Sequence, residues 1–267
     1  MPELPEVETI ARILRPELIG RRIVAAQVYW PRTLAAPATP AEFGRALSGE
    51  TIESVSRRAK YLLLLFKRGN LLIHLRMSGD LRFLAAREAP GKHDRLTLTL
   101  DNGRILAFND PRKFGRIWFL NDAAPVLGRL GPEPLEDNFS AEWLYAALQA
   151  RHRQLKPLLL DQTFLAGLGN IYTDEALHLA GLHPARISAT ISTQEAVRLH
   201  QAIRAALTAG IDNNGASIDW VYRGGSFQNH FRVYGRTGQP CPVCGAPIQR
   251  IVIGQRGTHF CPACQLR

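Results

Sequence analysis

Apolar positions near the start of the chain recur at helical spacing. Val7, Ile10, Ile13 and Leu14 lie within residues 5–18 (PEVETIARILRPEL), which predicts an amphipathic helix opening at Pro5 and ending between Pro16 and Gly20. The pattern then turns to short apolar runs and alternation. Residues 23–30 (IVAAQVYW), 60–66, 70–75, 95–100, 104–108 and 115–120 read as strands. Asp101-Asn102-Gly103 is a tight hairpin turn between two of them. Residues 1–130 therefore predict a β-sandwich with a helix laid against it. Gly131-Pro132-Glu133-Pro134 marks a linker. Beyond it the period is helical, over 141–150, 157–167, 170–181 and 192–211. Asn170 opens the third of these and Gly181 closes it, while Ser192 or Thr193 caps the fourth with Glu195 as partner. Residues 131–215 thus form a helical domain, and 216–267 a Gly-rich aromatic segment leading into a cysteine module. The expected class is α+β, multidomain.

All four cysteines fall in the last 27 residues, as Cys241-Pro-Val-Cys244, sixteen residues, then Cys261-Pro-Ala-Cys264. Each pair approaches an ion from one tight turn, and four thiolates complete a tetrahedral site, so one zinc is expected. A closed four-thiolate site leaves no open coordination position, which makes that zinc structural. Between the pairs, IQRIVIGQRGTHF alternates apolar and polar, predicting a two-stranded ribbon with Gln255-Arg256-Gly257 at its tip. Arginine on a rigid tip can enter a DNA groove or simply face solvent.

Charge narrows the partners. Lys and Arg number 33 against 23 Asp and Glu, a net charge of +10. Residues 216–267 hold six arginines against Asp219 alone. The balance favours a polyanion, nucleic acid first and an anionic membrane second. No apolar run reaches the length of a membrane span, and Glu3, Glu6 and Glu8 argue against a signal peptide. A cytoplasmic location, with its reducing conditions, agrees with cysteines that bind metal.

The start, Met1-Pro2-Glu3-Leu4-Pro5-Glu6, carries candidate chemistry. Removal of Met1 leaves Pro2 with a secondary amine, and an α-amino group near pKa 8 is partly neutral at pH 7. Such an amine attacks an aldehyde-like carbon to give an iminium, with Glu3 beside it as general acid. The plain alternative is a surface terminus leading into a helix, with Pro5, Glu6 and Glu8 suited to its first turn.

Further segments follow in order: RRAKYLLL (57–64), HLRMSG (74–79), KHDR (92–95), NDPRKFG (109–115), LKPLLLDQ (155–162), GLGNIYTDEAL (167–177), VYGR (233–236) and QRGTHFCPACQ (255–265). Together with MPELPE they resemble the bacterial formamidopyrimidine-DNA glycosylase family, relatives of endonuclease VIII, over essentially the whole chain. The resemblance implies a monomeric base-excision-repair enzyme acting on double-stranded damaged DNA. Pro2 attacks C1′ of an oxidised purine nucleotide, 8-oxoguanine or a formamidopyrimidine, and β,δ-elimination then cleaves the strand. It implies Glu3 as the proton donor, Glu6 as support for the terminus, and Lys60 and Arg256 in elimination and phosphate binding. Met77, Arg112 and Phe114 match the residues that fill the hole left by a flipped nucleotide, although read alone Met77 and Phe114 belong in a core. Lys92 and His93 match a DNA-contacting loop. Lys156 and Asn170 match phosphate or nucleoside contacts of a helix–two-turns–helix element, together with either Arg151 or Arg153.

One segment departs from the pattern. GASIDWVYRGGSFQNHFRVYGR (215–236), with Trp220, Tyr222 and Arg223, is several residues shorter than the family's usual loop, which leaves base preference open. Leu4 and the Arg112-Lys113-Phe114 run favour the formamidopyrimidine branch. The alternatives are an endonuclease VIII-like enzyme preferring oxidised pyrimidines and a non-catalytic zinc-finger protein that binds damaged DNA.

Overall fold

The computed structural model describes residues 1–85, 87–217 and 224–267. These form two compact units, the first Met1–Arg129 with Ser217 and Gly224, the second Leu130–Ala216 with Gly225–Arg267.

The first unit opens with α1 (Leu4–Leu18), whose Leu4, Val7, Ile10, Ala11, Leu14 and Leu18 are buried while Ile13 stays exposed. The helix runs through Pro16 and stops before Gly20, whose φ of +80° ends it. Then come β1 (Ile23–Val28), β2 (Leu34–Ala36), α2 (Pro40–Leu47), β3 (Ile52–Arg58), β4 (Tyr61–Phe66), β5 (Gly69–His74), β6 (Asp80–Phe83), β7 (Asp94–Leu100), β8 (Ile105–Asn109), β9 (Arg116–Leu120) and the short α3 (Ala124–Leu127). One sheet has the order β1-β7-β8-β6 and the other β2-β9-β5-β4-β3. Pairing is antiparallel throughout except between β2 and β9. A single apolar core draws on both sheets, α1 and α2, so the expected sandwich with a flanking helix is present. Asp101-Asn102-Gly103 makes the expected turn, with Gly103 at φ +80°. Five elements carried too little apolar signal to be read: β2, β3, β6, α2 and α3. β3 (IESVSRR) buries only Ile52 and Val55 among its apolar positions, and β6 is half-buried along its length. α2 was signalled by a different cue, the Thr39–Glu42 capping box.

The second unit contains α4 (Ala141–Gln149), α5 (Leu155–Leu159), α6 (Asn170–Ala180), α7 (Thr193–Asp212), β10 (Gln249–Ile253) and β11 (Arg256–Phe260). The helix expected over 157–167 is wrong in extent. α5 ends at Leu159, and Gln162 uses its side chain to satisfy a non-helical loop. Its Nε2 donates to the Leu160 and Leu168 carbonyls and its Oε1 accepts from Gly167 N. α6 packs on α7 at Gly210, where a Cβ would lie 2.4 Å from the Tyr172 ring. Helices and cysteine ribbon belong to one compact unit. The ribbon's tip is Gly254-Gln255, at φ +56° and +62°, and Ile253 pairs with Arg256. Arg256, expected at the centre of the tip, therefore opens β11, one position past the observed turn.

Candidate active site and metal centre

In the first unit the candidate reactive residues are sequestered. Met1 is exposed, but Pro2, Glu3 and Glu6 are buried at the start of α1. Glu6 Oε2 accepts the Glu3 backbone N–H at 2.7 Å, which fixes the turn that carries Pro2 and Glu3. Lys60 is buried too, in the two-residue turn between β3 and β4, after Ala59 in a left-handed conformation. His74 lies on the adjacent strand β5 and stacks edge-on against Tyr61 at 4.6 Å. Its Nδ1 accepts the Arg76 backbone N–H at 3.0 Å. Burial, with Arg76 and Lys60 adding positive charge nearby, pushes its pKa down to about 3, so the ring is neutral beside Lys60 at physiological pH.

Met77 and Phe114 are 40% and 48% exposed, which rejects a core role for both. Their loops are held together by a buried node. Ser78 Oγ donates to Asp110, Arg112 N donates to Ser78 Oγ at 3.2 Å, and Gly115 N donates to Asp110 Oδ2 at 2.7 Å. Gly79 and Gly115 flank the node because Phe108 fills the space a Cβ would need, 2.8 Å and 2.3 Å away. The Arg112 guanidinium sits 5.1 Å from the Phe114 ring, and the Lys113 ammonium 3.9 Å from Trp30. Buried Arg95 joins the next loop to this one, donating to the Asp110 carbonyl (2.7 Å), the Lys92 carbonyl (2.9 Å) and His93 Nδ1 (3.3 Å). Met77, Arg112, Phe114, Lys92 and His93 thus share one rigidly supported set of loops. Ser78, Asp110 and Arg95 were not singled out in the sequence; the Asp in NDPRKFG beside two space-limited glycines was their only trace.

In the second unit, Asn170 begins α6 and its Nδ2 donates to the Gly257 carbonyl at 3.1 Å. Lys156 does not reach the surface. It is 0% exposed, with its Nζ 2.6 Å from Asp174 Oδ1 and 2.9 Å from the same Gly257 carbonyl. Direct phosphate contact by Lys156 is incompatible with this placement. Its charge is committed to Asp174, whose other oxygen accepts the His259 backbone N–H at 2.9 Å. Lys156, Asn170 and Asp174 together hold β11 beside exposed Arg256. Of the two arginines before Lys156, Arg153 pairs with Asp161 at 2.8 Å. Arg151 donates to the Ala147 carbonyl at 2.9 Å and lies 4.9 Å from the Phe164 ring, with no carboxylate partner among the described residues. Glu175 accepts the backbone N–H groups of Arg232, Val233 and Tyr234 at 2.9, 3.0 and 2.9 Å, tying VYGR to α6. Burial still raises its pKa despite these bonds.

The four cysteine sulfurs lie within 4.8 Å of one another. A tetrahedral zinc with Zn–S bonds of about 2.3 Å spaces its sulfurs about 3.8 Å apart; Cys241–Cys264 is 3.9 Å and Cys244–Cys261 is 3.4 Å. Burial and the neighbouring cysteine sulfurs push the Cys264 thiol well up, and a bound cation would offset the repulsion among the thiolates. The donor set fits one structural zinc. Val243 N and Cys264 N each donate to a cysteine sulfur at 3.4 Å, and His178 Nε2 lies 3.4 Å from Cys241 Sγ. Burial, with Arg232 and Arg236 adding, lowers the His178 pKa to about 4, and its ring is neutral.

Comparison with known proteins agrees at every level. The model of the formamidopyrimidine-DNA glycosylase N-terminal domain matches residues 1–117, its helix–two-turns–helix domain residues 130–221, and the zinc finger found in these enzymes and isoleucyl-tRNA synthetase residues 238–267. The formamidopyrimidine-DNA glycosylase of Chloroflexus aggregans is 47% identical, covering 100% of this chain and 99% of its own. The chain belongs to the formamidopyrimidine-DNA glycosylase family. The homologue from Laribacter hongkongensis is 45% identical over 99% of this chain. The Lactococcus lactis Fpg, bound to DNA with an abasic site, superposes with a TM-score of 0.93 at 36% identity over the full length of both chains. A MutM bound to DNA containing carbocyclic 8-oxo-G does so at 0.93 and 37%. Trp220, Tyr222 and Arg223, in the segment that departs from the family pattern, lie outside the described residues.

Proposed function

We propose that the chain is a bifunctional DNA glycosylase that removes oxidised purines from duplex DNA and cleaves the resulting abasic site. One observation carries this reading: full-length kinship with relatives crystallised on abasic-site and 8-oxo-G DNA, with each reactive position of the family present here. After loss of exposed Met1, the neutral Pro2 nitrogen attacks C1′ and the C1′–N9 bond breaks, its electrons leaving with the base, which takes up the proton that the Pro2 nitrogen sheds. Glu3 delivers a proton to the sugar ring oxygen, the ring opens, and an iminium links Pro2 to C1′. The iminium acidifies the C2′ hydrogens; loss of one expels the 3′ phosphate, and a second elimination expels the 5′ phosphate. Lys60 and Arg256 neutralise phosphate charge during these steps. Glu6 keeps the terminal turn in place.

Met77 and Phe114 enter the stack vacated by the flipped nucleotide, and Arg112 hydrogen-bonds the orphaned base. Lys92, His93, Asn170 and Arg151 contact the backbone; Arg151 is favoured over Arg153 because Asp161 already neutralises the latter. Lys156 acts indirectly, by holding the Gly257 carbonyl next to Arg256. Cys241, Cys244, Cys261 and Cys264 hold zinc, which stiffens the ribbon without touching the reaction. No helix among the described residues is long and apolar enough to cross a membrane. The enzyme is proposed to work as a monomer on chromosomal DNA in the bacterial cytoplasm.

The test is borohydride trapping on duplex DNA with 8-oxoguanine opposite cytosine. A covalent band mapping to Pro2, absent in Pro2→Gly, is expected. A band only with a preformed abasic site moves base specificity elsewhere, and a stronger band with thymine glycol favours the oxidised-pyrimidine alternative. No band with any substrate refutes the enzymatic reading.

A further inference from the structure

We infer that His178 is an outer partner of the zinc site, donating its Nε2–H to the Cys241 thiolate and so making α6 part of the metal centre. His178 Nε2 lies 3.4 Å from Cys241 Sγ, within the longer range of hydrogen bonds to sulfur, and both side chains are buried. The tautomer follows from the other ring nitrogen. Nδ1 is buried and has no hydrogen-bond partner among the described residues. A proton there would leave a donor unsatisfied and turn the Nε2 lone pair towards a negative sulfur. A proton on Nε2 places the donor on a charged acceptor and leaves only an acceptor unpaired, the less costly of the two.

The arrangement has a purpose in the metal's charge balance. Four thiolates around Zn2+ carry a net charge of about −2 in a partly buried site, and N–H donors that withdraw charge from the sulfurs offset it. Cys241 receives backbone N–H groups of its own knuckle, Val243 N at 3.4 Å among them, and the side chain of His178. The His178 donor comes from a helix 63 residues earlier in the chain, so it also locates the whole finger. One helical turn before His178, Asp174 grips β11 through the His259 backbone N–H. Two successive turns of α6 thus fix the two halves of the finger, the ribbon and the first knuckle. The same helix begins at Asn170, which shares the Gly257 carbonyl with Lys156. Zinc at one end of α6 and the residues beside Arg256 are therefore mechanically joined through His178 and Asp174.

The experiment uses the full-length, metal-loaded protein and needs no activity readout, so its result is independent of the proposed reaction. In 113Cd-substituted, 15N-histidine-labelled protein, His178 should show a protonated Nε2 with scalar coupling to cadmium across the N–H···S bond. Zinc release into excess chelator should be about tenfold faster in His178→Phe, which keeps a ring of similar shape without a donor, in line with the effect of other outer partners on metal affinity. His178→Gln, whose amide N–H reaches a similar point, should release zinc close to the parent rate. A His178 protonated on Nδ1 alone, or a folded His178→Phe that holds zinc as long as the parent, overturns the inference. If His178→Phe fails to fold, the cadmium coupling in the parent protein decides.

Discussion

Asp174→Ala tests whether the buried polar network of the second unit holds the DNA-facing ribbon. The carboxylate accepts Lys156 Nζ at 2.6 Å and the His259 backbone N–H at 2.9 Å, and both members of the ion pair have 0% side-chain exposure. Removing one side of a buried pair costs about 3–5 kcal/mol, because the surviving charge has no water to return to. An independent bound gives the same size. A stranded lysine can shed its proton instead, and neutralising a group of pKa about 10.4 at pH 7 costs about 4.6 kcal/mol. The cost of Asp174→Ala should therefore be about 4 kcal/mol at pH 7 and should shrink by up to about 1.4 kcal/mol per pH unit above that. Hydrogen exchange of the β11 amides in zinc-loaded protein reads it locally, without assuming that both compact units unfold together. Adding Lys156→Met to Asp174→Ala should recover most of the loss, since the double variant buries no charge. A loss below about 1 kcal/mol, or an equal loss with and without Lys156, would refute the argument that the pair is buried and coupled.

Arg151→Ala should lower the slope of log affinity against log salt by about 0.9 for damaged duplex, whereas Arg153→Ala should leave it unchanged; equal slopes would show that Asp161 does not neutralise Arg153. His74 has a folded pKa of about 3 against about 6.5 unfolded. Between those values the unfolded chain binds the extra proton, so its contribution is full above pH 6.5 and falls by up to about 1.4 kcal/mol per unit as pH drops towards 3. Denaturant titrations should find a flatter acid limb in His74→Phe. Gly115→Ala places a methyl 2.3 Å from the Phe108 ring and should cost about 1–3 kcal/mol and slow base flipping followed by 2-aminopurine fluorescence. Phe114→Ala should slow flipping as much while changing stability by less than about 0.5 kcal/mol; a stability loss comparable to that of Gly115→Ala would mean that Phe114 is packed, not poised.

The chemistry was more legible in the sequence than its supports. Cysteine spacing gives a metal site because two tight knuckles leave few other arrangements, and the sulfurs do converge. Long apolar periods gave α1, α6 and α7, and apolar runs gave β4, β5, β7, β8 and β9. What escaped was decided by contacts distant in the chain. β6 is a strand because it pairs with β8, and nothing in DLRF demands it. α5 stops at Leu159 because the Gln162 side chain satisfies the loop that follows, a role no periodicity encodes. The resemblance reads Lys156 as a phosphate or nucleoside contact; only Asp174, 18 residues on, makes its burial affordable. His178 sits among apolar helix positions, and its partner Cys241 lies in another module.

These misses have a common cause, and it says how the site is built. Five of the groups proposed to touch DNA, Met77, Arg112, Phe114, Arg151 and Arg256, are exposed, and it is their place in segments resembling the family, not composition, that reveals them. The groups that position them, Asp110, Arg95, Asp174 and Glu175, are charged residues in the interior. There each must have its hydrogen bonds satisfied or cost several kcal/mol. The two classes should therefore separate under mutation. Loss of an exposed contact should reduce binding or base flipping and leave the fold intact. Loss of a buried partner should reduce both, because the interior charge that holds a loop also stabilises the unit around it.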